Sequence, residues 1–489
     1  MFISINSIGQ NIHFIKSYGN TGYDFGRDIK QDLDTGYIAT GSSSSFAGGT
    51  ADAFLLKVDS LGNFKWSYNY GGQETDWGES VVITHDSSYA IGGYTNSFGA
   101  GGFDFYLVRA NKDGTPLWQK TYGGTDWDRA HSIIQLADSG FVLVGDTYSY
   151  GNGNADIYMV RTDKYGDTLW TRTYGGPEND FGNAVILDGD SLVVVGGTES
   201  FGSGMSDGII LKYHIDGTFG WVKIAGKDKD DYFTSIDHNI SGNYSIGGSR
   251  NYNHFLNCDC GNDFWYYKIT PDGNTIVIDT SREGTDQTGY DVIYDLETDL
   301  NNNMFYGGST TSWGSVDIAQ GHSDAFINMF NNLYYTGIYV NNFGELGDDK
   351  VTAIDKCYDG GYVAIGDLNY NSTGGSNLFI LKSDKQNSNG LYMVDVDLTN
   401  EDITLSIESN SGTENIGTIK VYPTFVKDII NIDCQINDFE IEIYALNGKM
   451  VMQALISNNQ INVSSLPVNI YLLKITTKDN VYTTKFYKN

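Results

Sequence analysis

Trp66-Ser67-Tyr68-Asn69-Tyr70-Gly71-Gly72 returns 52 residues later as Trp118-Gln119-Lys120-Thr121-Tyr122-Gly123-Gly124, and 52 further on as Trp170-Thr171-Arg172-Thr173-Tyr174-Gly175-Gly176. Trp221 keeps the beat 51 residues after Trp170. A period of this length, rich in glycine and aromatic residues, reads as one four-stranded β unit per repeat, arranged as the blades of a ring. Such a reading also sets a rule for function: a residue that recurs in every unit is scaffold before it is catalyst.

Within one period four short apolar runs are separated by turn signals. In the second repeat the predicted strands are Ser80–Thr84, Tyr89–Gly92, Phe105–Ala110 and Pro116–Tyr122. The first turn recurs as Asp34-Thr35-Gly36, Asp138-Ser139-Gly140 and Asp359-Gly360-Gly361. There Asp accepts local backbone hydrogen bonds and Gly supplies positive φ. The last turn recurs as Asp59–Gly62, Asp113-Gly114, Asp163–Gly166, Asp216-Gly217 and Asp272-Gly273. The second strand ends on glycine at Gly41, Gly92, Gly145, Gly196, Gly247, Gly307 and Gly366. Those seven anchors predict an all-β, seven-bladed β-propeller. A ring must close because an open sheet edge invites aggregation. The seventh repeat lacks its last strand, and Asn11–Ser17 carries the missing pattern, with Leu391–Val396 as a rival closing strand.

The chain has 489 residues and a formal net charge of −31. Residues 417–489 are close to neutral at +1, so the charge sits in residues 1–416. That field repels nucleic acid and anionic membranes and favours solubility and divalent cations. Of 60 glycines only Gly417 and Gly448 lie in the last 73 residues, and all eight tryptophans precede residue 314. The expected division is a propeller over 1–395, a linker over 396–416 and a small β-sandwich over 417–489. Cys258, Cys260, Cys357 and Cys434 do not make a disulfide scaffold. Cys258-Asp259-Cys260, even with His254 upstream, lacks the usual spacing of zinc ligands. No segment is apolar enough to span a bilayer, and no charged segment followed by an apolar one opens the chain.

Two recurring positions carry chemistry. Asp52, Asp104, Asp156, Asp207, Asp263 and Asp324, with Asn377 in the seventh repeat, precede the third strand. A side chain accepting backbone donors where a loop enters a strand accounts for them. The second position is the connection between repeats: Tyr23-Asp24-Phe25, Asp76-Trp77, Asp126-Trp127, Asp180-Phe181, Asp231-Tyr232 and Gly289-Tyr290. The loops after the second strand add Phe46, Phe98, Tyr150, Phe201 and Trp313 on the same side. Two readings stand. The rings wedge between blades as core, or the face is a ligand-binding ring of alternating carboxylates and aromatics. Tyr23, Asp24, Asp76, Trp77, Asp126, Trp127, Asp180, Phe181, Asp231 and Tyr232 would make that ring, for stacking on sugars and for hydroxyl or Ca²⁺ contacts. No cofactor is required, although Ca²⁺ is compatible with the carboxylates.

Catalysis finds little support, since repeated acidic residues have similar environments and glycosidases need two dissimilar ones. The Asp…Gly…Trp turn departs from the sialidase Asp-box, because Gly62 to Trp66 spans one position too many. No H-E-x-x-H, G-x-S-x-G or P-loop is present. The rival to a binding protein is a polysaccharide-active enzyme using the irregular fifth and sixth repeats, where Asp228, Asp230, Asp231, Asp259, Asp263 and His254 break the pattern. A third reading is a structural spacer of the cell surface.

Residues 18–390 resemble a propeller repeat of secreted and surface proteins of Bacteroidota, a resemblance that implies a fold and no agreed activity. Val421-Tyr422-Pro423-Thr424-Phe425 followed by Asp428-Ile429-Ile430-Asn431-Ile432 resembles the opening of a type IX secretion sorting domain. Gly448-Lys449, Leu466-Pro467, Tyr471 and Lys485-Phe486-Tyr487-Lys488 match its later parts, while Thr424 and Asn469 depart from it. The resemblance implies the type IX machinery as partner and a secreted or outer-membrane surface location. Such cargo also needs an N-terminal export signal, so a truncated reading frame is expected. The expected function is a non-enzymatic, monomeric binding or adhesion protein for an extracellular glycan or protein.

Overall fold

Each repeat opens with a strand that cannot stay regular, and a glycine on its neighbour records why. In every repeat the first strand carries a β-bulge that follows the second residue after an aspartate at or just before the strand's start, for instance between Gly78 and Ser80. It pushes the carbonyl of the residue next to that aspartate toward the adjacent strand. A Cβ at Gly93 would lie 1.9 Å from the Trp77 carbonyl oxygen, and at Gly41, Gly145, Gly196, Gly248, Gly308 and Gly366 between 1.8 and 2.1 Å from the equivalent oxygens. The repeat anchor is therefore Gly93, Gly248 and Gly308 where the sequence reading chose Gly92, Gly247 and Gly307. The bulge likewise starts the second repeat's first strand at Asp76, four residues before the expected Ser80.

The computed structural model describes residues 12–19, 22–45, 50–227, 229–239, 241–251, 261–281, 289–299, 303–311, 323–331, 336–343, 347–370 and 375–383. In the C-terminal part it describes 420–422, 425–426, 429–433, 439–445, 450–454, 460–467, 469–477 and 481–488. The described elements are β-strands. The first is β1 (Ile12–Tyr18), and three sheets follow it. They are β2 (Asp24–Gln31), β3 (Tyr37–Ser43), β4 (Asp52–Val58) and β5 (Phe64–Tyr70); β6 (Asp76–Ile83), β7 (Tyr89–Thr95), β8 (Asp104–Ala110) and β9 (Pro116–Tyr122); and β10 (Asp128–Gln135), β11 (Phe141–Thr147), β12 (Asp156–Thr162) and β13 (Thr168–Tyr174). The fourth comprises β14 (Asp180–Asp188), β15 (Ser191–Thr198), β16 (Asp207–His214) and β17 (Phe219–Ala225), and the fifth β18 (Asp231–His238), β19 (Tyr244–Asn251), β20 (Asn262–Ile269) and β21 (Thr275–Ser281). The sixth comprises β22 (Asp291–Thr298), β23 (Asn303–Thr310), β24 (Asp324–Asn331) and β25 (Thr336–Phe343). The seventh is β26 (Lys350–Lys356), β27 (Tyr362–Tyr370) and β28 (Gly375–Ser383), with β1 as its fourth strand.

All seven are four-stranded antiparallel sheets in chain order, except that β1 pairs with β28 from Ile12 opposite Ser383 to Tyr18 opposite Leu378. The rival segment 391–396 lies outside the described residues. The sheets follow one another in a closed cycle, joined by bonds between neighbouring inner ends. Val81 N donates to Asp28, His85 N to Gln135, Val185 N to Ser132 and Asn183 Nδ2 to the Phe233 carbonyl. Thr298 N donates to Asp237, Ile354 N to Asp295, and Gln31 N to Asp355, which returns the cycle to the first sheet. Each junction has its own apolar slab, such as Val142, Val144, Ile157 and Met159 against Val185, Val194, Ile209 and Leu211. Stability is therefore shared among seven interfaces between neighbours.

The tryptophan beat belongs to those interfaces. Trp66, Trp118 and Trp170 lie against Gly114, Gly166 and Gly217, the positive-φ glycines of the next sheet's last turn. Only glycine leaves both the turn and the ring room there. Tyr122 O–H donates to the Gly166 carbonyl at 2.7 Å, and Tyr70 O–H bonds Gly114 in the same way. In β1, Phe14 stands against Gly62 and Tyr18 O–H donates to the Gly62 carbonyl at 2.7 Å, so the N-terminal strand repeats the same contacts.

The chain divides into two compact units, 1–405 and 406–489. The second has a three-stranded sheet of β29 (Lys420–Tyr422), β31 (Ile429–Asp433) and β34 (Gln460–Asn462). Its five-stranded sheet contains β30 (Phe425–Val426), β32 (Phe439–Ala445), β33 (Met450–Ala454), β35 (Asn469–Thr477) and β36 (Val481–Lys488). Ile430, Ile441, Ile443, Ile461, Val463, Leu466, Tyr471 and Leu473 are buried. Tyr471 O–H donates to the Pro467 carbonyl at 2.9 Å. Pro423, Gly448 and Lys449 lie outside the described residues.

Candidate binding face on the inner strands

Every inner strand, from β2 to β26, begins at or just after an aspartate: Asp24, Asp76, Asp128, Asp180, Asp231, Asp291 and Asp349. All seven are at most 2% exposed. Thr95 and Thr147 hydroxyls donate to Asp76 and Asp128, and Thr310 to Asp291 at 2.6 Å. Gly72 N, Gly124 N, Gly176 N and Lys227 N donate to Asp76, Asp128, Asp180 and Asp231 at 2.7–2.8 Å. Asp24, Asp76, Asp180 and Asp231 therefore do not present carboxylates to an exposed ring: Asp76, Asp180 and Asp231 hold the connection from the preceding sheet, and Asp24 accepts the Ser43 and Ser45 hydroxyls. Asp126 lies in the loop two residues before Asp128, and Arg129 occupies the position that Trp77 has in β6. The expected equivalence of Trp127 with Trp77 fails for that reason. Gly289-Tyr290 likewise precedes the equivalent Asp291.

The residues before the third strands act as local acceptors. Asp104 accepts Ala100 N at 2.8 Å, Asp156 accepts Asn152 N at 2.9 Å and Asp207 accepts Ser203 N at 2.8 Å. Burial, with Asp207 adding like charge, pushes Asp231 up to about 6.

With the carboxylates withdrawn, the aromatic half of the expected ring remains on the first three sheets. Tyr23 stacks on Phe25 (6.2 Å between centroids), Phe25 on Trp77 (5.5 Å) and Trp77 on Tyr94 (6.1 Å). Phe103 continues edge-on between Tyr94 (5.1 Å) and Trp127 (5.8 Å). Tyr23 and Trp127, the ends of the arc, are 51% and 52% exposed. Two arginines are set into it. The Arg27 guanidinium lies 4.8 Å from the Trp77 centroid and 5.5 Å from that of Phe25, held by Asp367 at 3.1 Å and Glu79 at 3.6 Å. Arg129 lies 5.9 Å from both Trp127 and Tyr148 and pairs with buried Asp146 at 2.9 Å. His131 Nε2 meets the other Asp146 oxygen at 2.7 Å. Burial alone would lower the His131 pKa, but Asp146 outweighs it and holds it above the usual histidine value. Phe181 and Tyr232, at the Trp77 position of β14 and β18, are half-buried on their own inner strands.

Further along the same strands lies a cluster that the repeat pattern did not disclose. The seventh residue from each opening aspartate is Lys30, Val82, Ile134, Ile186, Asp237, Glu297 or Asp355. Lys30 Nζ is 3.0 Å from Asp28 and 3.8 Å from Asp355. Lys356 Nζ bridges Asp237 at 3.1 Å and Glu297 at 2.6 Å, reaching from the seventh sheet past the sixth to the fifth. These pairs tie together the inner strands of the fifth, sixth, seventh and first sheets. Burial and the neighbouring Asp237 raise Glu297 well above the usual carboxylate range, and burial pushes Asp295 up to about 6. Of the irregular-repeat residues, His254, Asp228 and Asp259 lie outside the described residues, as do Phe46, Trp313, Cys258 and Cys260. Among the described residues no group of three or more His, Cys, Asp or Glu side chains is placed to hold a metal ion, and no helix is long and apolar enough to cross a membrane.

Over 178 residues the chain is 26% identical to the regulatory protein FlaEY of Caulobacter vibrioides, covering 31% of this chain and 18% of that protein. It is similar to the solved structure of PorZ, described as an essential surface component of the type IX secretion system of Porphyromonas gingivalis. That likeness has 11% identity and a TM-score of 0.42, over 96% of this chain and 60% of that one. It is also similar to a polysaccharide lyase described as an ulvan lyase, at 9% identity and a TM-score of 0.49, covering 76% and 97% of the two chains. The β-propeller domain of the Trilobed protease from Pyrococcus furiosus matches at 12% identity and a TM-score of 0.42, covering 75% and 96%. The family described as a secretion system C-terminal sorting domain matches residues 420–489. With its two sheets and the Tyr422, Leu466, Tyr471 and Lys485 positions on the page, the C-terminal module is a type IX sorting domain, and the chain is a propeller-like protein secreted by that route to the cell surface or the extracellular space.

Proposed function

We propose that residues 1–395 form a seven-bladed β-propeller closed by β1, joined through 396–416 to a β-sandwich sorting tail over 417–489. It acts as a monomeric, non-enzymatic binding protein that takes no cofactor. The observation that carries this reading is the unbroken arc Tyr23–Phe25–Trp77–Tyr94–Phe103–Trp127 with Arg27 and Arg129 set into it. Aromatic faces at this spacing stack on sugar rings, and paired arginines add hydrogen-bond donors for hydroxyls or acids. The ligand class is an extracellular glycan, with an exposed protein segment as the alternative.

A glycan array probed with the full chain, with and without Ca²⁺, tests it. Binding that falls at least about tenfold in Trp127→Ala and Trp77→Ala supports the reading, that factor being about 1.4 kcal/mol. Silence across glycans and matrix proteins leaves the surface spacer. The enzyme alternative draws on one observation, the two carboxylates Asp237 and Glu297 that share Lys356, with Glu297 held well above the usual carboxylate range by burial. Turnover on a polysaccharide panel that disappears in Glu297→Gln would establish it.

A further inference from the structure

The third strand of six sheets carries a buried cation five residues after its leading acidic or Asn residue: Lys57, Arg109, Arg161, Lys212, Lys268 and Lys382. Except for Lys212, which is partly exposed, these residues are largely withdrawn from solvent. Five end on a carboxylate from the turn between the first two strands of their own sheet. Lys57 meets Asp32 and, at 2.7 Å, Asp34; Arg109 meets Asp86 at 2.6 Å; Arg161 meets Asp138 at 2.5 Å. Lys212 meets Asp188 and Lys382 meets Asp359, both at 2.8 Å. The acid always stands eight or ten residues after the aspartate that opens the inner strand.

In the fifth sheet those two positions are Asn239 and Ser241. Lys268 is 8% exposed and has no ion pair or hydrogen bond among the described residues. Asn239, 4% exposed, accepts Ser241 N at 2.9 Å and Asn243 N at 3.2 Å through Oδ1, which fixes its amide and leaves buried Nδ2 without an acceptor. Where the equivalent Asp32 and Asp188 offer an oxygen to a lysine and to Tyr89 or Tyr244, this site has two donors. The sixth sheet supplies Met304 in place of the tyrosine. Burial lowers the Lys268 pKa, with no carboxylate countering it.

We propose that this turn is a binding site for a carboxylate group supplied from outside the chain, held by Lys268 Nζ and Asn239 Nδ2 in place of the aspartate that the other repeats contain. A buried amide donor and the ammonium of a largely buried lysine both lose free energy while unpaired, and a carboxylate satisfies them together with a charge-assisted bond. An acidic sugar and an acidic side chain share this chemistry. Asn239 follows the far end of β18 from Asp231, so the proposal does not depend on the aromatic arc at the other end of the inner strands.

The test uses the full chain in thermal melts with sodium glucuronate, N-acetylglutamate, glucose and NaCl at matched ionic strength. A rise in midpoint with either acid beyond that in NaCl, and none with glucose, is the expected result. Asn239→Asp returns the missing partner. It should raise the midpoint in plain buffer by about 2 °C and abolish the response to acid. Lys268→Met should abolish the response as well, and Asn239→Asp decides alone if that variant fails to fold. Equal responses to the acids and to NaCl, or an acid response that survives Asn239→Asp, would overturn the proposal. Glucuronate acting alone identifies the sugar as the source, and both acids acting identify the carboxylate itself.

Discussion

The inner wall has two unlike arcs built on one strand pattern. On β6, β10 and β14 the seventh position is Val82, Ile134 and Ile186; on β18, β22, β26 and β2 it is Asp237, Glu297, Asp355 and Lys30. The backbone bulge and the opening aspartate are the same in both, so architecture does not distinguish them. The difference lies in how neighbouring inner strands are joined. In the apolar arc Ile134 and Ile186 pack with the interface clusters. In the ionic arc carboxylates accept the next strand's N–H, as Asp237, Asp295 and Asp355 do, and Lys356 and Lys30 pair with Asp237 and Asp355 as well. A repeat thus tolerates chemistry at a wall position provided that the neighbouring repeats change with it.

The largest effect expected from breaking this contrast is in Lys30→Met. It leaves Asp28 and Asp355 without their shared cation and should cost about 2 kcal/mol in urea unfolding, below the value for a fully buried pair because Lys30 is partly solvated. Ile134→Met in the opposite arc should cost less than about 1.5 kcal/mol. Equal losses would erase the distinction.

Next comes pH. Asp231 and Asp295 are both pushed up to about 6, chiefly by burial. Protonation therefore favours the folded state. Their contribution is complete below the unfolded value near 4 and is lost as pH rises through about 6. His131, raised by Asp146, acts in the same direction: its stabilisation is full below about 6.5 and fades above its folded pKa. The urea midpoint should be higher at pH 5 than at pH 7, and Asp295→Asn should flatten that slope by about 1 kcal/mol.

The smallest effect belongs to Glu297→Gln. Burial and the neighbouring Asp237 already oppose the Glu297 charge, and an amide of the same shape keeps an oxygen toward Lys356, so a stability change below about 0.5 kcal/mol is expected. A larger loss would mean that Glu297 is ionised and pairs fully with Lys356.

Much of the ring was legible because its signals are local. The Trp66, Trp118 and Trp170 beat marks rings seated on turn glycines, and the Asp-Gly turns carry their own backbone reason. The candidate face was half legible. Tyr23, Trp77 and Trp127 belong to the arc, but Asp24, Asp76, Asp180 and Asp231 are buried. The bulge hid this by drawing an apparent loop into a strand, and Trp127 repeats the letters of Trp77 two residues out of phase. Phe25 follows Asp24 as Trp77 follows Asp76 and was legible with it, but Tyr94, Phe103, Arg27 and Arg129 come from three sheets and share no motif. The ionic arc was invisible, because Lys30 meets Asp355 across the closure and Lys356 meets Asp237 and Glu297 on two other sheets. Lys268 could have been found from sequence, by asking which repeat keeps the lysine and loses both acids.

The pairing of β1 with β28 also determines how the ring answers a pull. Were β28 a border strand, a force along it would peel it away one rung at a time. Flanked by β27 and β1, it has two ladders to shear at once, so the last described strand of the first unit is held from both sides.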